Sequence, residues 1–354
     1  MKNILVIKLR YLGDVLLATP VLQTLREQMP GARLSMAVSR GTEDVLKENP
    51  HLDELVVVDR GGMSPQIDLL RRLRHRQFDC VIDLTDADRS AILAWTTRAA
   101  VRIGLNDEHR WRGLLYTVVA RRRPESRHRI EQDLDVLRPL GISSSSHTPV
   151  LHISDRDEQQ AVDLLRSIAE KADASALRRP LVMLQPGARY WYKAWPPERF
   201  AELADRLATR LDCRVLIGGD SRERGLAETI SAQARSQPTV MAGRTSVLQH
   251  AALLKQCALF VGNDNGPMHM AAAVGTPVVA LFGPSDPAEW GPRGSPAEIL
   301  YKGLDCRRCF HPACERGELS CMKQISVEEV FTAAMRLLKV SGDRRPSSVL
   351  MNGT

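Results

Sequence analysis

Aromatic residues are scarce in this sequence: Phe, Trp and Tyr together make up 5% of its 354 residues. No predicted strand combines aromatic with basic residues as a platform for single-stranded nucleic acid does, so we expect no nucleic-acid partner. The charge nevertheless favours an anionic partner, because 49 basic residues outnumber 42 acidic ones and the formal net charge is +7. A phosphate group or an acidic membrane surface would suit this charge.

Long apolar runs are also missing. None approaches the roughly 20 consecutive apolar residues that a helix needs to span a membrane. The opening MKNILVIKLRYLGDVLLATP could be taken for a secretory signal, but Lys8, Arg10 and Asp14 interrupt its apolar stretch and no small-residue cleavage site follows. We therefore expect a cytoplasmic protein, at most in peripheral contact with a membrane, whose seven cysteines are reduced.

The sequence is rich in alternating strand-like and helix-like segments. The run NILVIKL (3–9) predicts a buried strand, and the apolar stripe after it predicts one helix from Gly13 to Gln28. Four more strand-like runs follow before residue 110: ARLSMAVS, ELVVVD, FDCVIDL and VRIGL. This alternation of strand, helix and strand is typical of a mostly parallel sheet.

The alternation stops and restarts once, which predicts two domains. SSSSHTP (143–149) is typical of a linker, and a charged helix from Asp155 to about Lys171 leads to a second series of strands that opens with RPLVMLQPGA. A chain of this length is also too long for one ordinary core. The sequence therefore predicts an α/β fold with two Rossmann-like domains facing a cleft: residues 1–153, residues 154–340 including the linker helix, and a disordered tail at 341–354.

The segment GNDNGPMHMAAAVG (262–275) places polar residues where a strand meets a helix of small residues. We expect the strand to end near Asn263 and the helix to begin near Pro267, so that its free N–H groups can bind a phosphate. His269, one turn into the helix, can point back toward this mouth. Asp264 would repel an anion and is expected to accept N–H bonds or to contact a sugar hydroxyl. An ordinary capped loop explains the segment by itself equally well.

Three other segments place charged residues where a predicted strand ends. PGARYWYKAWPPERF (186–200) holds Lys193 just before a helix, and IGGDSRERG (217–225) places acidic residues after a glycine turn. KLRYLGDVLLATP (8–20) places Asp14 at the start of the first helix, where the helix dipole is expected to lower the pKa of its carboxyl group. Both residues have a plainer interpretation, Asp14 as an N-cap and Lys193 as a solvated surface lysine.

Together these segments resemble glycosyltransferase family 9, the heptosyltransferases that build the inner core of lipopolysaccharide. The resemblance covers nearly the whole chain and lies in four segments, in this order: ILVIKLRYLGDVLLATPVL, PGARYWYKAWP, GNDNGPMHMAAAVGTPVVALFGPSDP and CRRCFHPACERGELSCM. It implies a GT-B fold, the donor ADP-L-glycero-D-manno-heptose in the C-terminal domain and a lipid A–core acceptor in the N-terminal domain. It also implies inversion at the anomeric carbon, no cofactor for catalysis, and action at the cytoplasmic face of the inner membrane.

The resemblance also implies roles for individual residues. Asp14 is then the general base that takes the acceptor's proton, and Lys193 is the partner of the donor phosphates. Glu223 corresponds to the acid that binds the nucleotide ribose. The residues that hold the donor at the helix mouth are Asp264, Asn265, Gly266 and His269. Asn265 stands where the family often has Ser or Thr.

Other basic residues suggest further contacts with anions. Lys8 and Arg10 could bind acidic groups of the acceptor, although charged residues commonly close a strand. The basic segment 110–129, with RRR at 121–123, fits two interpretations. It could contact phosphates of the lipid core or the membrane surface, or it could be an ordinary solvated face.

Four cysteines lie in the segment CRRCFHPACERGELSCM: Cys306, Cys309, Cys314 and Cys321. Four thiolates could enclose a structural zinc or iron ion, with His311 as a substitute ligand. Free thiols in a surface loop are the alternative.

The sequence therefore predicts a heptosyltransferase of lipopolysaccharide core assembly. Two other functions stay open at this point. One is a family member that glycosylates a protein or another glycan with a related nucleotide sugar, and the other is a silent protein that only binds a nucleotide sugar. The presence of both Asp14 and Lys193 argues against the silent protein.

Overall fold

The computed structural model describes residues 1–59, 61, 63–143, 148–172, 179–304, 306, 309 and 314–340. Contacts divide the chain into two compact units, Met1–His152 and a second unit that begins at Ile153. Each unit contains one six-stranded sheet with helices. Linker residues 144–147 and the predicted tail 341–354 lie outside the described residues.

The first unit is built on a sheet of six parallel strands. They are β1 (Asn3–Lys8), β2 (Arg33–Ser39), β3 (Glu54–Val58), β4 (Cys80–Asp83), β5 (Val101–Leu105) and β6 (Val118–Ala120). Their order is β3-β2-β1-β4-β5-β6. Ile4, Leu5, Val6 and Ile7 of β1 are all fully buried, as a central strand covered on both faces requires.

The first unit has five α-helices in the described residues. They are α1 (Leu12–Leu17), α2 (Thr19–Gln28), α3 (Met63–His75), α4 (Asp88–Thr96) and α5 (Arg129–Asp135). The prediction of a single helix over residues 13–28 is wrong, because the helix is interrupted at Ala18, between α1 and α2. Pro20 has no N–H to donate to the carbonyl of Leu16, which accepts the hydroxyl of Thr19 instead (2.7 Å).

The second unit repeats the topology of the first. Its strands are β7 (Leu181–Gln185), β8 (Arg214–Ile217), β9 (Thr239–Val240), β10 (Leu259–Asn263), β11 (Val278–Phe282) and β12 (Ala297–Tyr301). They lie in the order β12-β11-β10-β7-β8-β9 and are all parallel, as the strands of the first sheet are. In doubly wound sheets of this kind, ligands bind beyond the carboxyl ends of the strands.

The helices of the second unit are α6 (Asp155–Ala172), α7 (Pro197–Leu211), α8 (Arg224–Gln233), α9 (Val247–Gln256), α10 (Gly266–Ala273), α11 (Pro287–Trp290), α12 (Cys321–Gln324) and α13 (Val327–Val340). The charged helix predicted from Asp155 to about Lys171 is confirmed as α6. Over the part of the chain that the structure describes, every helix is too short or too polar to cross a membrane.

Trp195 anchors the loop between β7 and α7. Its side chain is almost fully buried, packs edge-on against Phe200 with ring centroids 4.8 Å apart, and donates to the carbonyl of Ile325 (2.8 Å). Its backbone N–H donates to Oδ1 of Asn263 (3.1 Å). The loop after β7 is therefore held against the end of β10.

Candidate active site

Lys193 and Asp264 lie side by side at the carboxyl edge of the second sheet. Lys193 ends the 3-10 helix Trp191–Lys193 in the loop after β7, and Asp264 directly follows β10, the strand next to β7. The Lys193 ammonium contacts Oδ2 of Asp264 at 2.6 Å, and Asp264 is buried. Lys193 is therefore a fixed, partly buried cation. Because an ammonium has three N–H donors, it can still donate to an anion.

Asn265 caps α10 and braces the mouth of this helix. Its Oδ1 accepts the N–H of Met268 (3.0 Å), and its Nδ2 donates to the carbonyl of Gly187 (2.8 Å). Pro267 has no N–H, so Gly266 supplies the N–H that the first turn can offer to a ligand. The binding of an anion at this helix mouth therefore depends on cationic side chains as much as on backbone N–H groups.

Asn263, the last residue of β10, was missed by the sequence analysis as a positioning residue. It is fully buried, its Nδ2 donates to the carbonyl of Pro186 (2.7 Å) and its Oδ1 accepts the N–H of Trp195 (3.1 Å). These bonds hold both ends of the loop that carries Lys193. The signal in the sequence was a polar residue closing the buried run LFVGN.

Glu223 lies at the N-cap of α8, on the β8 side of the same sheet edge. Its Oε2 accepts the N–H of Asp220 (3.0 Å) and the amide of Gln185 (3.5 Å), and burial raises the pKa of its carboxyl group. A Cβ at Gly187 would overlap Oε1 of Glu223, so any larger residue there would displace this carboxylate. The carbonyl of Gly187 also accepts Asn265, so Glu223 and the mouth of α10 belong to one cluster.

Two buried histidines lie near this edge. His269, predicted to hold the donor, is almost fully buried in α10. His250 of α9 was missed, and burial lowers its pKa to about 4, so it is neutral. Nε2 of His250 and Oε1 of Gln185 are buried and have no hydrogen-bond partner among the described residues, and both side chains lie against Gly218. In the sequence, His250 is simply a core-facing position of a helix, so no polar role could be assigned.

In the first unit, Asp14 is the third residue of α1, which follows β1. The N-cap position belongs to Tyr11, so Asp14 does not occupy it. Burial raises the pKa of the Asp14 carboxyl group, and the positive charges of Lys8 and Arg129 oppose this rise. The expectation that the helix dipole lowers this pKa is therefore wrong, because α1 is short and desolvation outweighs its dipole.

Lys8 ends β1 and is 1% exposed. Its ammonium contacts Oδ2 of Asp133 at 2.7 Å and donates to the carbonyl of Leu84 (3.0 Å). Arg129 contacts Oδ1 of the same Asp133 at 2.8 Å and donates to the same carbonyl (2.9 Å). The prediction that Lys8 binds the acceptor substrate is corrected accordingly, because its ammonium is enclosed by oxygen atoms of the protein itself. Its positive charge works to lower the pKa of Asp14.

Arg10 and the basic segment 110–129 differ in their surroundings. Arg10 is exposed between β1 and α1, as an acceptor contact would require. Three arginines of the segment are paired with carboxylates of the same unit: Arg112 with Asp86 (2.8 Å), Arg122 with Asp107 (3.1 Å) and Arg123 with Asp135 (2.7 Å). Much of the segment is thus a network of internal ion pairs, which limits the cations that it can offer to phosphates.

The four cysteines proposed as metal ligands are free thiols, of which Cys306 is exposed and Cys309, Cys314 and Cys321 are half-buried. Among the residues that the structure describes, no three His, Cys, Asp or Glu side chains lie in a group that could hold a metal ion. His311 lies outside those residues. The charges of Cys309, Cys314 and Cys306 nevertheless help burial to raise the pKa of the Cys321 thiol, so the four thiols lie near one another. The zinc or iron centre stays a prediction, and no step below is derived from a metal.

Known proteins resemble this chain in sequence and in structure. The sequence pattern of the family described as Glycosyltransferase family 9 (heptosyltransferase) matches residues 67–319. Lipopolysaccharide heptosyltransferase 3 of Escherichia coli K12 is 32% identical over 339 residues, which are 93% of this chain and 96% of that protein.

Two solved structures resemble the fold. The crystal structure of a family 9 glycosyl transferase from Veillonella parvula is 29% identical, with a TM-score of 0.82 over 96% of this chain and 97% of that one. The ADP-heptose LPS heptosyltransferase II of E. coli is 23% identical, with a TM-score of 0.78 over 97% of this chain and all of that one. These neighbours confirm the α/β fold class of GT-B type that the sequence predicts.

Proposed function

The chain belongs to glycosyltransferase family 9 and is a heptosyltransferase of the lipopolysaccharide core family, and from this premise we propose its donor, its acceptor and its stereochemistry. The proposed donor is ADP-L-glycero-D-manno-heptose. The proposed acceptor is the inner core of lipopolysaccharide carried on lipid A, and the proposed transfer inverts the anomeric carbon.

The pairing of Lys193 with Asp264 beside the mouth of α10 carries this proposal. A nucleoside diphosphate needs a positive charge for its phosphates and a hydrogen-bond acceptor for its ribose hydroxyls. Lys193 offers the first at the ends of β7 and β10, and Glu223 offers the second next to β8. The positive end of the α10 dipole adds to the attraction for an anion.

Lys193 has a further role when the donor reacts. Negative charge grows on the diphosphate as its bond to the sugar breaks, and a cation fixed in advance stabilises that charge without rearrangement. The 2.6 Å contact with Asp264 and the hydrogen bonds of Asn263 fix the lysine in this way. Catalysis of this kind comes from placement of charge before the reaction starts.

Asp14 is the proposed general base. Its carboxylate takes the proton of the acceptor hydroxyl while the hydroxyl oxygen forms a bond to the anomeric carbon. The bond between that carbon and the phosphate oxygen breaks, ADP leaves, and a displacement in one step inverts the configuration. A carboxylate whose pKa is raised by burial holds a proton more tightly than an ordinary Asp, which favours this transfer.

We also propose that the protein works as a peripheral protein at the cytoplasmic face of the inner membrane. The supporting feature is an apolar patch on the first unit, where α4 packs against the 3-10 helix Trp111–Leu115. Its exposed residues are Ile92, Trp95, Trp111 and Leu114. Exposed apolar patches mark interaction sites, and Trp is enriched where a membrane meets water.

The direct test uses purified protein, ADP-heptose and core acceptors truncated at successive heptoses. We expect ADP release and a new glycosidic bond with one acceptor of the series, and NMR of the product should give the anomeric configuration opposite to that of the donor. Absence of turnover with every core acceptor would overturn the proposed substrates. Retained configuration would overturn the single displacement and the role of Asp14 as a base.

A further inference from the structure

Three aromatic residues in succession, Tyr190, Trp191 and Tyr192, lie at the surface of the second unit. Tyr190 is 40% exposed and Trp191 is 48% exposed. The chain has 16 aromatic residues in all, since it contains 5 Trp, 5 Tyr and 6 Phe. Tyr192 is half-buried beside them. Leaving the rings of Tyr190 and Trp191 exposed forgoes the burial that would stabilise the fold, which indicates a contact outside the core.

The rings hold one another in a fixed arrangement. Tyr190 and Tyr192 are stacked, with ring centroids 5.2 Å apart and planes within 5°. Trp191 meets Tyr192 edge-on, with centroids 5.6 Å apart and planes at 79°. The guanidinium of Arg189 lies 5.7 Å from the centre of the Tyr190 ring. Trp191 is therefore a rigid exposed indole supported by its neighbours, and binding to it would cost little side-chain entropy.

The position of this turn on the sheet indicates what it meets. The centre of the second sheet runs β8, β7, β10 and β11 in order. Glu223 lies at the β8 side of the carboxyl edge, and Lys193 with Asp264 lies at β7 and β10. The carbonyl of Tyr192 packs on Gly283, which directly follows β11, so that a Cβ on that glycine would lie 3.0 Å from it.

Along the sheet edge there is thus first Glu223, a carboxylate that can bind a ribose, then Lys193, a cation that can bind phosphates, and then the aromatic turn 190–192. A nucleotide sugar has its parts in the corresponding order: nucleoside, diphosphate and sugar. The aromatic turn therefore lies where the molecule beyond the diphosphate is a saccharide.

We propose that Trp191, supported by Tyr190 and Tyr192, stacks against a saccharide ring beyond the diphosphate. This rests on the proposed function and identifies a subsite of it. One face of a pyranose ring presents C–H groups with a slight positive charge, and the face of an indole carries the negative part of its quadrupole, so the two surfaces attract each other. The ring can belong to the sugar of the donor or to the acceptor, and both have the same chemistry.

The test compares Trp191→Leu, which keeps an apolar side chain but loses the flat ring, with Trp191→Phe, which keeps a ring. The matched control is Tyr301→Leu, because Tyr301 is an aromatic residue of the same unit on β12 and is 44% exposed. Calorimetry measures the Kd values for ADP and for ADP-heptose, and steady-state kinetics measures the KM of a deacylated core acceptor.

We expect Trp191→Leu to bind ADP within about twofold of the wild type and to weaken the saccharide contact by about three- to tenfold, with most of this loss restored in Trp191→Phe. If Trp191 stacks on the sugar of the donor, Trp191→Leu should weaken the binding of ADP-heptose. If Trp191 stacks on a sugar of the acceptor, the variant should raise the KM of the acceptor and leave the binding of ADP-heptose unchanged. If Trp191→Leu matches Tyr301→Leu in both measurements, the stacking proposal is wrong although the proposed function stands. If the wild type neither binds ADP-heptose nor transfers its sugar, the proposed function fails and the subsite fails with it.

Discussion

Asp14 and Lys193 carry the proposed chemistry, and their electrostatic surroundings differ. Lys193 is paired directly with one carboxylate, Asp264. Near Asp14, the two cations Lys8 and Arg129 are already bound to Asp133, so burial decides the direction in which the pKa of Asp14 moves. The side chain of Lys193 is thus held in a fixed place by Asp264, whereas burial gives Asp14 a raised affinity for a proton.

We predict that Asp14→Asn folds normally and binds ADP like the wild type, but loses about 10²–10⁴ in turnover, because an amide cannot take the proton of the acceptor. Turnover is measured as ADP release and binding by calorimetry. The control is Asp155→Asn, which changes an exposed first-turn acid of α6 and should leave turnover unchanged. Near-normal turnover of Asp14→Asn would refute its role as a base.

The same residue predicts a pH dependence. Because burial raises the pKa of Asp14 above its ordinary value of 3.8, protonation removes the base at a higher pH than for an exposed Asp. The acid limb of the kcat profile should therefore lie above that value and should be missing from the residual activity of Asp14→Asn.

For Lys193→Ala we expect ADP affinity to fall about 10- to 100-fold, because a charge-assisted hydrogen bond contributes about 1.5–3 kcal/mol. The melting temperature without ligand should also fall, since the buried Asp264 loses its cation. The control is Lys255→Ala, which removes an exposed lysine paired with Glu158 in the same unit. Unchanged Kd for ADP would exclude Lys193 from the phosphate site.

His250 predicts how stability responds to acid. Its pKa is about 4 when folded and 6.5 when exposed, so between these values the unfolded chain binds a proton that the folded chain does not. The free energy of unfolding should therefore decrease as pH falls from 6.5 to 4, by about 3 kcal/mol from this group. Urea titrations should give a shallower pH dependence for His250→Leu than for the exposed control His75→Leu. Equal slopes would contradict the prediction.

At the scale of elements, the site is made by the loops that follow parallel strands. The loop after β7 carries Lys193 at one end of its exposed turn and is held by Trp195 and Asn263 against the end of β10. The loop after β8 carries Glu223 and packs on Gly187 of the β7 loop. Neighbouring loops thus fix each other, and a small change in one should move a side chain of the next.

Gly187→Ala tests this coupling. The added Cβ would overlap Oε1 of Glu223, so we expect this carboxylate to be displaced and ADP affinity to fall about tenfold. Gly225→Ala is the control, because a Cβ there meets no atom within 4 Å and lies in α8, where Ala stabilises a helix by about 0.5–1 kcal/mol. Equal ADP affinity in the two variants would show that Glu223 does not depend on the glycine.

At the scale of the whole molecule, two units of the same strand order carry different surfaces. The second unit holds the cluster of Lys193, Asp264 and Glu223 at its sheet edge, whereas the first unit holds Asp14 and the apolar patch. Several arginines of segment 110–129 are held in ion pairs within the first unit, whereas Arg121 of this segment is exposed. We therefore expect apolar contact to contribute more than electrostatic attraction to the free energy of binding to an anionic membrane.

We predict that the double variant Trp111→Ser and Leu114→Ser binds vesicles containing phosphatidylglycerol about tenfold or more weakly than the wild type, while turnover of a deacylated acceptor is retained. Leu319→Ser is the control, because Leu319 is 67% exposed in the second unit. Sedimentation with vesicles measures binding. Equal sedimentation of wild type and double variant would exclude the patch as the membrane contact.

Much of the fold could be predicted from the sequence because the signals are local. The apolar run of β1 and the small residues of α10 each lie within a few neighbouring positions. The break between α1 and α2 was missed, although Pro20 was visible, because proline is tolerated in the first turn of a helix and the apolar stripe continued through it.

The sequence by itself determined the α/β alternation, the residues that follow each strand, and the family that they resemble, since these depend on short spacings along the chain. The tertiary structure alone decided which of those residues meet. Lys8 and Asp133 are 125 positions apart, and Lys193 and Asp264 are 71 apart. The order of the strands in each sheet brings such pairs together. The depth at which a side chain lies then changes its pKa and its access to a ligand: burial raises the pKa of Asp14, and Lys8 is enclosed in the core. The spacing of residues along the chain does not determine the order of strands or the burial of a side chain, because both arise only when the whole chain packs.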